Sequence, residues 1–181
     1  MRVRSIIGAG TVLLSITAFS VHTAAIAASP SPDTEALTAG YQLILFDLAE
    51  CSAIRPTGGM SASGNGIISP DILQVAGKIC DDAAGYQSKV KDVATKYDIP
   101  LDRHLPYTLT ARYAALVRHA GPGLGVRYLN DQISSHEDAL AVFQDEADNG
   151  TIPEIKAMAG EVIPLVQGNL DLLKTTLAKH T

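Results

Sequence analysis

Apolar residues recur at steps of three and four along nearly the whole chain beyond residue 32, and no segment alternates as a strand requires. From Asp33 to Cys51 the positions Leu37, Tyr41, Ile44, Leu48 and Cys51 form one stripe of an amphipathic helix. Periodicity then lapses over residues 52–68, where Gly, Ser and Pro dominate. Ser69-Pro70-Asp71 carries the chemistry of a helix start: a capping oxygen, a first-turn proline and an acid at the positive end of the dipole. The helix it opens runs to about Asp98 along Ile72, Ala76, Ile79, Ala83, Tyr86, Val90, Val93 and Tyr97. A short helix follows from Tyr107 to Ala120, with Leu109, Tyr113 and Leu116 inward, and Gly121-Pro122-Gly123 closes it. A fourth segment, Leu124 to Ala147, has the seam Val126, Leu129, Ile133, His136, Leu140, Phe143 and Ala147. The last begins at Pro153 and runs to about His180, with Ile155, Met158, Val162, Leu165, Asn169, Leu172 and Leu173 inward and Pro164 inside it. Four long helices and one short connector predict an all-α, up-and-down four-helix bundle.

The first 27 residues follow a different rule. Arg2 and Arg4 precede an uncharged apolar run, and Ala25-Ile26-Ala27 ends it with small residues. That is the pattern of a removable secretory signal, with an uncleaved anchor as the alternative. Residues 28–181 are then one domain, expected in the periplasm or secreted, with no further segment of membrane-spanning length.

Composition narrows the function. Fourteen Lys and Arg stand against 19 Asp and Glu in 181 residues, and the net charge of -5 lacks the basic face a nucleic-acid partner needs. Two cysteines are too few for a disulfide-framework miniprotein or a four-ligand zinc site. An oxidising compartment favours pairing them. Cys51 lies at the inner end of the first helix and Cys80 beside Ile79, so a Cys51–Cys80 disulfide is expected; two separate buried thiols are the alternative.

Tyr128-Leu129, His136, Ala139-Leu140 and Phe143, followed by Pro153-Glu154-Ile155-Lys156 and Ile163-Pro164, resemble the domain of unknown function 4142 family of exported, ferritin-like helical proteins. The resemblance implies a ferritin-like bundle and export, and brings no reaction with it. Asp82-Ala83, Asn169 and Gln42 stand where that family often has Asp-His, His and Glu.

The residues carry no recognisable catalytic set. A ferritin-like di-iron site uses Glu-x-x-His pairs, and none occurs here. HExxH, Walker, Gly-x-Ser-x-Gly and Cys-x-x-Cys motifs are likewise missing from the sequence. None of the seams contains an Asp or Glu, so no anionic interior ligand is expected, and no cofactor beyond a weak divalent metal. His136 is the one metal candidate. Its competing reading is a neutral core histidine bonded to a tyrosine, a backbone carbonyl or Asn169, making His136 and Asn169 a core polar pair. His119 is expected at a helix's carbonyl end, and His180 in a mobile terminus. Asp81-Asp82, Glu137-Asp138 and Asp145-Glu146 with Asp148 are expected on outward faces. The expected function is a non-enzymatic exported bundle that binds an unknown protein or small-molecule partner or serves envelope stress tolerance. A degenerate ferritin-like metal or redox protein is the alternative.

Overall fold

Three of the five helices open on a proline, whose missing N–H is no loss in a first turn that has no intrahelical acceptor for it. The computed structural model describes residues 30–55, 68–119 and 123–181. The signal expected at 1–27 and most of the 52–68 loop lie outside the described residues. The helices are α1 (Pro32–Ile54), α2 (Pro70–Lys96), α3 (Tyr107–Arg118), α4 (Leu124–Asn149) and α5 (Pro153–Leu177). Among the described residues there is no strand. The first helix thus runs three residues into the stretch expected to be loop, with Ile54 in the core.

Side chains at the helix starts tie the ends together. Ser31 Oγ accepts from Thr34 N at 3.3 Å at the head of α1. Ser69 does not cap α2 as expected: its hydroxyl donates to Asp71, and Asp71 Oδ1 accepts from Ile72 N at 3.0 Å. His180 is not loose either, because its Nε2 lies 3.1 Å from Asp71 Oδ2 and fastens the C-terminus to the start of α2. Ser69 and His180 together hold the Asp71 carboxyl down to about 2. At the opposite end, Asp33 of α1 accepts from Thr151 N at 3.1 Å, Thr151 Oγ1 at 2.7 Å and Ile152 N at 2.7 Å. An acid from α1 therefore caps α5, where the local sequence offers only Ile152.

The long helices run up, down, down and up. Cys51 meets Cys80, and Lys91 covers Tyr41, so α1 and α2 are antiparallel. Lys96 pairs with Glu154, Lys89 with Glu161 and Lys78 with Asn169, so α2 and α5 are antiparallel too. Leu124, at the start of α4, shares a core with Ile72, at the start of α2. The strict alternation of an up-and-down bundle is thus interrupted at one step, where the short α3 returns the chain to the end from which α2 began. Gly123 makes the following turn at φ 97°, a left-handed conformation that favours glycine.

The apolar interior comes in two blocks. One gathers Leu37, Tyr41, Phe143, Ile155 and Met158 near the start of α1. The other gathers Ile54, Ile79, Leu129, Tyr128 and Leu173 near its end. The α2 seam falls where the spacing placed it, except that Tyr86 and Tyr97 are half-buried. On α4 the buried face lies about one residue earlier than expected. Leu129, His136 and Phe143 of the expected seam are buried, but so are Gly125, Tyr128, Gln132, Ser135 and Ala139 on its earlier side, while Val126, Ile133, Leu140 and Ala147 only flank them. Phe143 can turn inward because Gly40 of α1 faces it; a Cβ there would lie 2.9 Å from the ring. Ile79 has no exposed surface. Ile79→Asp should therefore abolish the cooperative melt followed by circular dichroism, since an unpaired buried charge costs several kcal/mol against a total of about 5–15. Leu140→Asp should fold and melt lower, because the half-buried side chain can turn its charge to water; equal melts for the two variants would reject this division.

Candidate functional site

Between the two apolar blocks lies a layer of polar side chains. α1 is flanked by α2, α3 and α4, and its apolar residues cover most of its circumference, which is the mark of a helix buried on several sides. An acid in its middle consequently has little access to water. Asp47 and Glu50, three residues apart and so on one face, are 4% and 0% exposed. Opposite them α4 contributes Tyr128, Gln132, Ser135 and His136, all buried. α5 adds buried Asn169, and α2 adds Asp82 and Lys78 at the margin.

Hydrogen bonds satisfy only part of this layer. Gln132 Nε2 donates to Glu50 Oε2 at 3.1 Å. Lys78 Nζ donates to Asp82 Oδ2 at 2.5 Å and to Asn169 Oδ1 at 2.8 Å. His136 Nδ1 donates to the Gln132 carbonyl at 3.0 Å. Arg112 reaches Ser135 Oγ at 3.3 Å, and Arg127 Nε lies 3.5 Å from Asp131 Oδ2. Asp47 Oδ1, Glu50 Oε1, Gln132 Oε1 and the Tyr128 hydroxyl are enclosed without a hydrogen-bond partner. Such groups are rare in folded proteins and ask for a cause, such as a proton, a water or an ion.

Burial sets the protonation here. It raises Asp47 well above the carboxylate range, with the Glu50 charge adding to the effect. It lifts Glu50 to about 8, against the hydrogen bond from Gln132 and the positive charges of Arg127 and Arg112. It also drives the His136 ring down to about 4, so the imidazole is neutral at neutral pH. Tyr128 is raised in turn by burial and the two acids.

A cavity of about 40 Å³ opens beside this layer, walled by Asp47, Asp82, His136 and Asn169 at its polar end and by Phe143 and Met158 among the apolar residues. That is room for a water or a single ion.

The structure treats the expected site residues unevenly. His136 and Asn169 are both buried and line the same cavity, but their hydrogen bonds run apart, to the Gln132 carbonyl and to Lys78. Cys51 and Cys80 are joined in a disulfide with Cα atoms 6.2 Å apart. His119 ends α3 and donates its N–H to the Leu116 carbonyl. Of the acids expected outside, Asp81, Glu137, Asp138, Asp145 and Asp148 are exposed, but Glu146 is fully enclosed. Burial and the neighbouring Asp33 charge lift Glu146 to about 7. The expectation of an interior without acids is overturned by Asp47 and Glu50. The apolar stripe through Ile44, Leu48 and Cys51 does not include the adjacent face that carries the two acids. The signal that finds them is the apolar circumference of α1, which leaves an acid no outward side.

The donor set does not fit a di-iron carboxylate site, which takes a Glu from each of two helices and a Glu-x-x-His pair from each of the others. In the present arrangement, no three His, Cys, Asp or Glu groups among the described residues are placed to share one metal ion.

A family model described as "Domain of unknown function (DUF4142)" matches residues 68–176. Among solved structures, the DUF305 fragment from Deinococcus radiodurans superposes with a TM-score of 0.67 at 12% identity, covering 83% of this chain and 98% of that chain. At that identity the likeness is one of fold. No curated protein matches the chain.

Proposed function

The chain belongs to the DUF4142 family, which is defined without an activity, and from that premise we propose that it is an exported, non-enzymatic binding bundle whose interior guest is no larger than an ion or a water. One observation carries this reading: Asp47, Asp82, His136 and Asn169 line a cavity of about 40 Å³, far below the roughly 300–1,000 Å³ of an organic ligand's pocket. Asp47, Glu50 and His136 are enclosed, so a substrate in solution cannot reach them without the helices parting. The cysteine pair suits an oxidising compartment, and residues 1–27 have the pattern of a signal removed on export. No described helix is long and apolar enough to cross a membrane. The acidic surface favours a soluble life in the envelope and a protein partner over nucleic acid. A role in envelope stress tolerance is compatible with a stapled bundle of this kind. The interior acids Asp47 and Glu50 bring forward the metal-binding alternative, but without a redox pair of metal ions.

Native and denaturing mass spectrometry of protein purified from its own host tests the reading. The expected polypeptide starts near Ala28, is two mass units lighter than the reduced chain, and carries nothing heavier than an ion. A stoichiometric organic molecule retained in the native spectrum would overturn the proposal, and retention of residues 1–27 would overturn its cleaved, exported form.

A further inference from the structure

One stretch of this acidic chain reverses its charge. From Arg103 to Asn130 it carries four arginines and no Asp or Glu, although the protein as a whole has a net charge of -5. Arg127 pairs with Asp131, and Arg112 reaches Ser135 and Asp138. Arg103 and Arg118 are exposed, and neither has an ion-pair partner among the described residues. The neighbouring Asp102 is turned to the backbone N–H and the ring of His104.

The same stretch holds the exposed apolar surface. Among the described residues two large apolar side chains stand in water, Tyr107 at 87% and Val117 at 56% exposure, and both belong to α3. Tyr107, Ala111, Ala114 and Arg118 follow steps of four, three and four along one face of that helix, with Thr110 and Val117 beside them. The residues between its two ends are small, so no long charged side chain crosses this shelf. A single exposed apolar residue is ordinary, whereas two on the outer side of one short helix, edged by unpaired arginines, call for a partner. Beside Tyr107 a hollow of about 180 Å³ opens between α1, α3 and α4, with Leu43, Leu109, Ala139 and Val142 among its walls.

We propose that the outer face of α3 docks an acidic amphipathic helix of a partner protein, whose apolar stripe lies along Tyr107 and Val117 and whose carboxylates meet Arg103 and Arg118. The surface rests on the binding reading above only in taking the bundle's partner to be a protein, and it makes no use of the interior cavity. Charge complementarity selects the occupant. The arginines are the unsatisfied charges here, and acids beyond about 8 Å are screened at physiological salt, so an approaching helix feels the basic stretch and little of the acidic remainder. A bilayer would instead meet the acidic molecule over a broad front, and a flat surface leaves the hollow beside Tyr107 unfilled. Tyrosine and arginine are the side chains that carry most energy in protein interfaces. Tyr107 and Val117 are ten residues apart, roughly 15 Å along the helix axis, which a partner helix of about three turns spans.

Fluorescence anisotropy of a labelled synthetic helix with a leucine stripe and glutamate on its other faces, titrated with untagged mature protein, tests the surface. The parent should bind this peptide and should not bind its counterpart with lysine in place of glutamate. Tyr107→Ser with Val117→Ser should weaken binding at least tenfold, and so should Arg103→Ser with Arg118→Ser. Only the arginine pair should also remove the salt dependence of binding. All four side chains are exposed, so both variants should keep the parent's melt by circular dichroism. Lys89→Ser, which removes an exposed cation of α2, should change nothing. Equal affinity for the two peptides, or binding that survives both pairs of substitutions, overturns the proposal. Two other occupants would also overturn it: a second copy of the chain, if the parent sediments as a dimer and Tyr107→Ser with Val117→Ser as a monomer, and a membrane, if phosphatidylglycerol vesicles retain the parent and not that variant. A flat titration overturns this surface alone; the interior reading falls on a retained organic guest.

Discussion

Glu50→Gln should make the protein more stable at pH 8 and leave its stability at pH 4.5 nearly unchanged. Glu50 has no exposed surface, and its carboxyl is raised from an ordinary 4.5 to about 8, mainly by burial. In the unfolded chain the same group ionises near 4.5. Between those values the native state therefore holds a proton that the unfolded state has released. Stability consequently falls as pH rises through this window, by up to about 1.4 kcal/mol per unit. Below the window both states are protonated and the effect vanishes; above it the full loss is in place. Coupling to Asp47 and relaxation around the site reduce the sum, to on the order of 3 kcal/mol. Glutamine keeps the acceptor for Gln132 Nε2 and never ionises. The variant should then melt roughly 6–12 °C above the parent at pH 8, with a flatter Tm profile between pH 5 and 8. A variant less stable than the parent at both ends of the range would mean that Glu50 is ionised and paired in the native protein.

Opening the Cys51–Cys80 bridge should lower stability by about 3–4 kcal/mol, the chain-entropy value for a loop near 30 residues. The sequence separation is 29, and residues 56–67, between the bridged positions, lie outside the described part of α1 and α2. Cys51 directly follows Glu50, so the bridge also holds the polar layer's end of α1 against α2. Cys51→Ser with Cys80→Ser, compared with the parent in urea, should shift the midpoint downward with little change in slope. A reductant should produce the same shift in the parent and none in the double variant. Two reactive thiols per chain in denatured, unreduced protein would reject the bridge, as would a double variant with the parent's midpoint.

Much of the architecture was legible in the residue pattern. The positions Ile72, Ala76, Ile79 and Val90 fell on a seam that is buried, and Pro70 and Pro153 marked true helix starts. The Tyr128, His136, Phe143 and Pro164 spacing pointed to the family that the chain belongs to. The disulfide was also legible, because two cysteines on adjoining helices leave one possible pairing. The site was legible only in its His136 and Asn169 half. Asp47 and Glu50 leave no mark in a heptad stripe, which records apolar spacing and ignores polar residues that burial forces inward.

What the sequence by itself determined is therefore local and additive: which residues form helices, where prolines and glycines interrupt them, and which face of α2 is apolar. Tertiary structure decided whatever depends on which helices surround a given one. α1 touches α2, α3 and α4 along much of its length, and that enclosure makes Asp47 and Glu50 interior. Gly40 admits the Phe143 ring, and the buried face of α4 follows from that contact. Asp33 reaches across more than a hundred residues to cap α5, and His180 does the reverse at Asp71. Helical periodicity is encoded within a few turns, whereas desolvation of a carboxyl is set by neighbours that only the closed bundle brings together.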